Sequence, residues 1–318
     1  MVGSLAAWPA WAQMPRKQNR IAVVTTGVVW RSLPIFRAFF AELGHLGYVE
    51  GQDLAIEDFT INGRVEREAE VARQVVASKP DAILCPGEFP PVLLSETSTI
   101  PIVVFTVDPL TWGFTDSLGH PPGNLTGVSF YDVDFVGKQL ELLKEAVPSV
   151  SRIAVLMTQQ ITEVPAFASW RPKLREYAAA LSISLIEMVL SDWTPHEIER
   201  GFAELVQNHP DALLLNAESA PDNPEPIIRL AEANRLPTMY PYPVYIEHGG
   251  LMAYTADVAE LGRRLADDVR RILQGVRPVD IPFYRATHYK FIVNLKAAKA
   301  IGFTFPPSVL TRADEAIE

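Results

Sequence analysis

Short apolar runs without polar alternation, such as residues 21–25 and 83–85, punctuate the chain. Runs of this kind suit parallel strands covered on both faces. Between them lie stretches in which apolar residues recur every three or four positions, the spacing of an amphipathic helix. Residues 66–78 carry Ala69, Ala72 and Val76 on one such face and stop at Pro80. Residues 197–208 repeat the pattern with Ile198, Phe202 and Leu205 and stop at Pro210. Alternating strands and helices predict an α/β fold built on doubly wound parallel sheets.

The pattern is written twice. Arg20-Ile21-Ala22-Val23 returns as Arg152-Ile153-Ala154-Val155, Ala55-Ile56-Glu57 as Leu185-Ile186-Glu187, Pro80-Asp81-Ala82-Ile83-Leu84 as Pro210-Asp211-Ala212-Leu213-Leu214, and Ile100-Pro101 as Leu236-Pro237. Four markers in the same order at nearly constant separation indicate an internal duplication, hence two similar lobes. Gly123-Asn124-Leu125-Thr126-Gly127-Val128-Ser129 leads out of the first half and Gly249-Gly250-Leu251-Met252-Ala253-Tyr254 out of the second. Each precedes an amphipathic helix, so each is expected to cross between lobes, and the tail after Pro278 to cross a third time. The expected division is a tail of residues 1–19, lobe one of 20–126 plus 252–277, and lobe two of 127–251 plus 278–318. Three crossings make a hinge, and a hinge between two such lobes makes a closing cleft. Asn124-Leu125-Thr126 matches a glycosylation pattern and is read here as a strand-entry turn.

Composition narrows the function. With 318 residues, 48% of them hydrophobic and 21% charged, the chain has room for two cores. A net charge of −10 with no basic run argues against a nucleic-acid surface. Cys85 is the single cysteine, so no intrachain disulfide or Cys-based zinc site is expected, and burial is its expected fate. The six histidines show no metal spacing, and neither a phosphate-cradling glycine loop nor a G-x-S-x-G elbow is present. No catalytic residue, metal or cofactor is expected. The segment Leu5-Ala6-Ala7-Trp8-Pro9-Ala10-Trp11-Ala12 reads as the end of a signal peptide, with cleavage after Ala12 and an exported, periplasmic product.

Small molecules bind beyond the carboxyl ends of the strands in open parallel sheets. The loops so placed give Thr25, Thr26, Gly87, Glu88 and Asp108 from lobe one. Lobe two supplies Thr158, Gln159, Asn216, Glu218, Tyr240 and Tyr242. The cleft is therefore expected to be rich in hydroxyls, amides and carboxylates. No cleft loop offers an evident arginine, so a ligand bearing an ammonium or several N–H donors is expected, with Asp108 as its principal ionic contact. Thr25 and Thr26 equally suit helix caps, and the tyrosines equally suit packing.

These residues carry a resemblance. Ala41-Glu42-Leu43-Gly44 with Gly47-Tyr48-Val49-Glu50-Gly51-Gln52, then Asp108-Pro109, Pro122-Gly123-Asn124-Leu125-Thr126-Gly127-Val128-Ser129, Gly249-Gly250-Leu251-Met252 and Val293-Asn294-Leu295-Lys296-Ala297-Ala298-Lys299, are similar to motifs of the ABC transporter substrate-binding protein family that includes tryptophan- and tyrosine-importer components. The resemblance runs from about residue 20 to the end. It implies a type I periplasmic-binding fold, no catalysis, and an ABC permease and ATPase as partners; a monomer is expected. Thr158-Gln159-Gln160-Ile161 and Tyr240-Pro241-Tyr242-Pro243 depart from the family's usual loops, so no particular ligand is carried over. The resulting expectation is solute capture by hinge closure for import of a small amino-acid-like or nitrogen-containing molecule. The alternatives are a sensory component that presents its closed form to a receptor, or a two-lobed α/β enzyme.

Overall fold

The first half supplies strands β1 (Asn19–Thr25), β2 (Leu54–Thr60), β3 (Ala82–Pro86), β4 (Ile102–Thr106) and β5 (Leu125–Ser129). The second supplies β6 (Arg152–Thr158), β7 (Ser184–Leu190), β8 (Ala212–Leu215), β9 (Thr238–Tyr240) and β10 (Met252–Ala256). Three late strands, β11 (Tyr284–Arg285), β12 (Tyr289–Asn294) and β13 (Glu315–Ile317), are shared between the sheets. This is a computed structural model, and it describes residues 18–25, 30–62, 64–87, 89–130, 134–162, 165–215, 220–221 and 223–318. One sheet runs β11-β5-β4-β3-β1-β2 and the other β13-β12-β10-β9-β8-β6-β7. The pairings are parallel except for β12, which runs antiparallel to β10.

The uninterrupted apolar runs explain the layering. Successive strand residues point to opposite faces. Ile21 and Val23 enter one core while Ala22 and Val24 enter another on the far side of the same sheet. Ile153 and Val155 are likewise separated from Ala154 and Leu156 in lobe two. Helices cover both faces of each sheet, as the pattern predicts. Cys85 is fully buried in lobe one.

The lobe boundaries differ from the expected ones. β5 pairs with β4 in sheet one through Ser129, β10 lies in sheet two, and β11 returns to sheet one beside β5. The chain therefore crosses between β5 and the helix Phe135–Ala146, at Asp257, and at residues 286–288. The glycine-rich motif Gly123–Ser129, expected to cross between lobes because an amphipathic helix follows it, instead ends inside sheet one. Its actual use is close packing: a Cβ on Gly127 would lie 1.9 Å from the Val104 carbonyl oxygen in the neighbouring strand. Asn124 is buried, its amide donating to the carbonyls of Ile100 at 2.6 Å and Thr97 at 3.3 Å. It is a turn residue.

The helix Val258–Leu273 leaves lobe two and packs on lobe one, capped by the Asp257 carboxylate, which accepts from Ala259 N and Glu260 N. Leu261, Leu265 and Val269 enter the lobe-one core. Gly262 sits against the helix Pro34–His45 so closely that a Cβ would fall 2.2 Å from the Ile35 carbonyl oxygen. The same helix carries Asp268, fully buried, with neither carboxylate oxygen accepting a hydrogen bond and the Arg264 guanidinium 3.7 Å away. Burial pushes its carboxyl up to about 7. At the hinge, Asp257 N donates to the His288 carbonyl at 2.9 Å, and the His288 ring lies 3.1 Å from Glu260. Two of the three crossings are thus clipped together.

Candidate ligand-binding site

A cavity of about 380 Å³ lies between the lobes. Lobe one lines it with the carboxyl ends of its strands, at Thr25, Pro86, Gly87, Thr106, Val107 and Phe130, and with the start of the helix Pro34–His45. Lobe two adds Ala220 and Pro221 and the segment from Tyr242 to Tyr245. The location agrees with the rule for open parallel sheets.

Aromatic rings form much of the wall. Trp30 meets Phe36 edge-on at 4.8 Å, Phe36 meets Phe105 at 5.1 Å, and Phe105 meets Phe130 at 6.4 Å. The series continues across the cleft, where Phe130 meets Tyr242 at 6.4 Å. Edge-to-face contacts of this kind add about 0.5–1.5 kcal/mol each beyond the area they bury. Trp30 is held from behind. Its indole N–H donates to Asp58 at 3.1 Å, and the Arg31 guanidinium, itself paired with Glu50 at 2.7 Å, lies 4.9 Å from its ring. No charged side chain is among the described residues that line the cavity.

Of the candidate residues, the structure brings Thr25, Gly87 and Tyr242 together in this wall. Thr26, Glu88, Asn216 and Glu218 lie outside the described residues, as does the expected cleavage site after Ala12. Asp108 has a different role from the one expected. It is 4% exposed, accepts from Leu110 N at 3.3 Å, and faces the Arg285 guanidinium at 3.4 Å. It is not among the residues lining the cavity. Arg285 reaches Asp108 from β11, a strand of the third crossing that returns to sheet one, and like Asp108 it is not among the residues lining the cavity. Thr158 is buried at the end of β6 and Gln159 is exposed at the start of the next helix, and neither lines the cavity.

Tyr240 belongs to the lobe-two core. It is 1% exposed and stacks on Tyr245 at 5.0 Å, and burial pushes its hydroxyl pKa well up. Its ring borders a second hollow, of about 490 Å³, formed with Leu236, Leu251 and Asn294. The sequence reading missed Trp30, Phe36, Phe105, Trp112 and Phe130, because it searched the strand ends for polar groups. The available signal was an aromatic residue at or next to the end of an apolar run, as Phe105 and Phe130 are. Among the described residues no group of three or more His, Cys, Asp or Glu side chains is placed to hold a metal ion.

The family model of ABC transporter substrate binding proteins matches residues 34–317. The chain belongs to this family. A curated relative named as a tyrosine-binding protein, from Clostridioides difficile (strain R20291), is 26% identical over 271 residues, covering 83% of this chain and 75% of the relative. Among solved structures, a conserved domain protein from Vibrio cholerae O1 biovar El Tor is 26% identical, with a TM-score of 0.84 over 94% of this chain and 100% of that one. An ABC domain from Streptococcus pneumonia in complex with L-Trp is 22% identical, with a TM-score of 0.83 over 95% of this chain and 100% of that one. The fold of this family member is that of the type I periplasmic binding proteins, two parallel-sheet α/β lobes about a cleft.

Proposed function

We propose that this member of the family is the solute-binding component of an ABC importer and that its solute is an aromatic amino acid. The observation that carries the reading is the interlobe cavity, walled by Trp30, Phe36, Phe105, Phe130 and Tyr242, with no charged side chain among its described lining residues. Such a wall gains free energy by taking an apolar planar body out of water, at roughly 25 cal/mol per Å². The names of the tyrosine-binding relative and the L-Trp complex support the same class. This narrows the expectation of a small amino-acid-like or nitrogen-containing ligand and does not rest on Asp108, whose carboxylate faces Arg285.

The amino and carboxylate groups of such a ligand need partners outside the aromatic wall. Thr26 and Glu88, the candidates the sequence offers beside Thr25 and Gly87, lie outside the described residues. Ligand contacts from both lobes exist together only when the lobes are close, so binding favours closure. The closed form is what a permease would recognise, in a periplasmic protein released from its signal peptide after Ala12. Among the described residues no helix is long and apolar enough to cross a membrane.

Isothermal titration against the twenty standard L-amino acids tests the proposal. Saturable binding confined to the aromatic members is expected. A preference for aspartate, lysine or any other non-aromatic member over phenylalanine, tyrosine and tryptophan would overturn it.

A further inference from the structure

The aromatic and aliphatic wall is interrupted by a few polar atoms, and most of these are already used by the protein. The Thr25 hydroxyl donates to the Phe59 carbonyl at 3.5 Å, the Trp30 indole to Asp58 at 3.1 Å, and the Tyr245 hydroxyl to the Pro221 carbonyl at 2.8 Å. Two are not. Thr106 Oγ1 and Trp112 Nε1 are buried and neither has a hydrogen-bond partner. Thr106 ends β4 at 2% exposure, and both residues line the cavity.

Buried polar groups are nearly always paired, so two orphans in one wall require an explanation. Neither residue is forced there by packing. A valine would fill the space of Thr106, and a phenylalanine would keep the stack that Trp112 makes with Phe114 at 5.9 Å. The Thr106 hydroxyl is closely surrounded, and a side chain at position 87 would displace it. Gly87 faces it so closely that a Cβ there would lie 2.6 Å from Oγ1. Glycine at that position leaves room beside the hydroxyl that any other residue would occupy.

We propose that Thr106 and Trp112 are specificity-determining residues that read a polar group on the ligand's ring. The inference rests on the aromatic amino-acid reading above and adds the substituent. Trp112 Nε1 can only donate, and Thr106 Oγ1 can accept or donate. A phenol hydroxyl both accepts and donates, so it is able to serve either atom. An indole N–H only donates, which serves Thr106 and leaves Trp112 orphaned. A plain phenyl ring leaves both unpaired in a site it has closed to water. Sites built to bond a substrate hydroxyl reject the analogue lacking it for this reason. The expected order of affinity is therefore L-tyrosine, L-tryptophan, L-phenylalanine.

Titration calorimetry with these three amino acids on the full chain and on T106V, T106S and W112F tests the assignment. L-Phenylalanine should bind at least about tenfold more weakly than L-tyrosine. T106V should lower affinity for L-tyrosine about tenfold without lowering that for L-phenylalanine, which no longer orphans a hydroxyl, while T106S should restore the discrimination. W112F should narrow the tyrosine–phenylalanine gap. Equal affinity of the parent protein for tyrosine and phenylalanine would overturn the inference while leaving the aromatic reading standing, as would a T106V loss that falls equally on both. Failure of all three amino acids to bind would overturn the reading and the inference together.

Discussion

The two lobes repeat one architecture and use it differently. Thr25 and Thr158 close the equivalent strands β1 and β6, yet only Thr25 lines the cavity. Thr106 and Tyr240 close β4 and β9; the first faces the cleft and the second is sealed in the core against Tyr245. Most of the wall comes from lobe one, with lobe two laying Tyr242 and its neighbours over it. Lobe one acts as platform and lobe two as cover. A duplicated fold conserves where a site can form without conserving which copy builds it.

The lobes also hold two carboxylates, the buried Asp268 and the part-buried Glu187, in opposite states. In lobe one, burial holds the Asp268 carboxyl up at about 7. In lobe two, burial also raises the Glu187 carboxyl, but hydrogen bonds from Arg171 at 2.7 Å and Arg175 at 2.9 Å outweigh it and hold the group below its usual value. A raised folded-state pKa makes a stabilising contribution that is full below the unfolded value near 3.8 and is lost as pH climbs through about 7. A lowered one contributes above the usual value of 4.5 and is lost as pH falls below it. Acidification from pH 7 should therefore first tighten lobe one around Asp268, and only below about pH 4.5 loosen lobe two around Glu187. D268N, which stays neutral, should raise stability at pH 8 by as much as about 4 kcal/mol and flatten the slope between pH 4 and 7. Urea unfolding across that range checks this. A slope unchanged by the substitution would remove the contrast between the lobes.

A second break point is mechanical. G262A places a methyl group against the Ile35 backbone carbonyl, which cannot rotate away, and should cost roughly 3 kcal/mol. Hydrogen exchange should show the loss in the sheet of β1 to β5 and spare that of β6 to β10. Losses spread evenly over both sheets would mean that the lobes unfold as one unit.

Much of this was legible in the chain. The duplication, the buried strands and the return of the helix Val258–Leu273 to lobe one all follow from apolar spacing, because both faces of each sheet are covered. The boundaries were less legible, since glycine at position 127 serves strand contact inside sheet one rather than a crossing. The engagement of Asp108 was not legible because its partner Arg285 lies 177 residues away, a distance over which no periodicity speaks. The aromatic wall escaped for a chemical reason: an apolar residue at a strand end looks like more core until the fold leaves it facing a space.

The platform-and-cover contrast has a direct test in binding. F105A should cost about 2 kcal/mol of affinity for the aromatic ligand and Y242A about 1 kcal/mol, because the first opens the platform and the second thins the cover. Calorimetry that ranks them the other way would transfer the platform role to lobe two. The smallest expected effect lies at the hinge. H288A loses an exposed contact to Glu260 and should change stability by less than about 1 kcal/mol. Scattering with and without ligand should still show compaction in this variant.

The protein carries six tryptophans, and two of them, Trp30 and Trp112, line the cavity. Their emission depends on the polarity and quenching around the indole, so filling the space beside them should alter it. Trp170, buried in the lobe-two core, should not respond and can serve as an internal reference. The wall that holds the ligand is thus also an unlabelled optical gauge of its own occupancy. Emission followed in a stopped-flow mixer would time arrival and departure of the solute without any chemical modification of the chain.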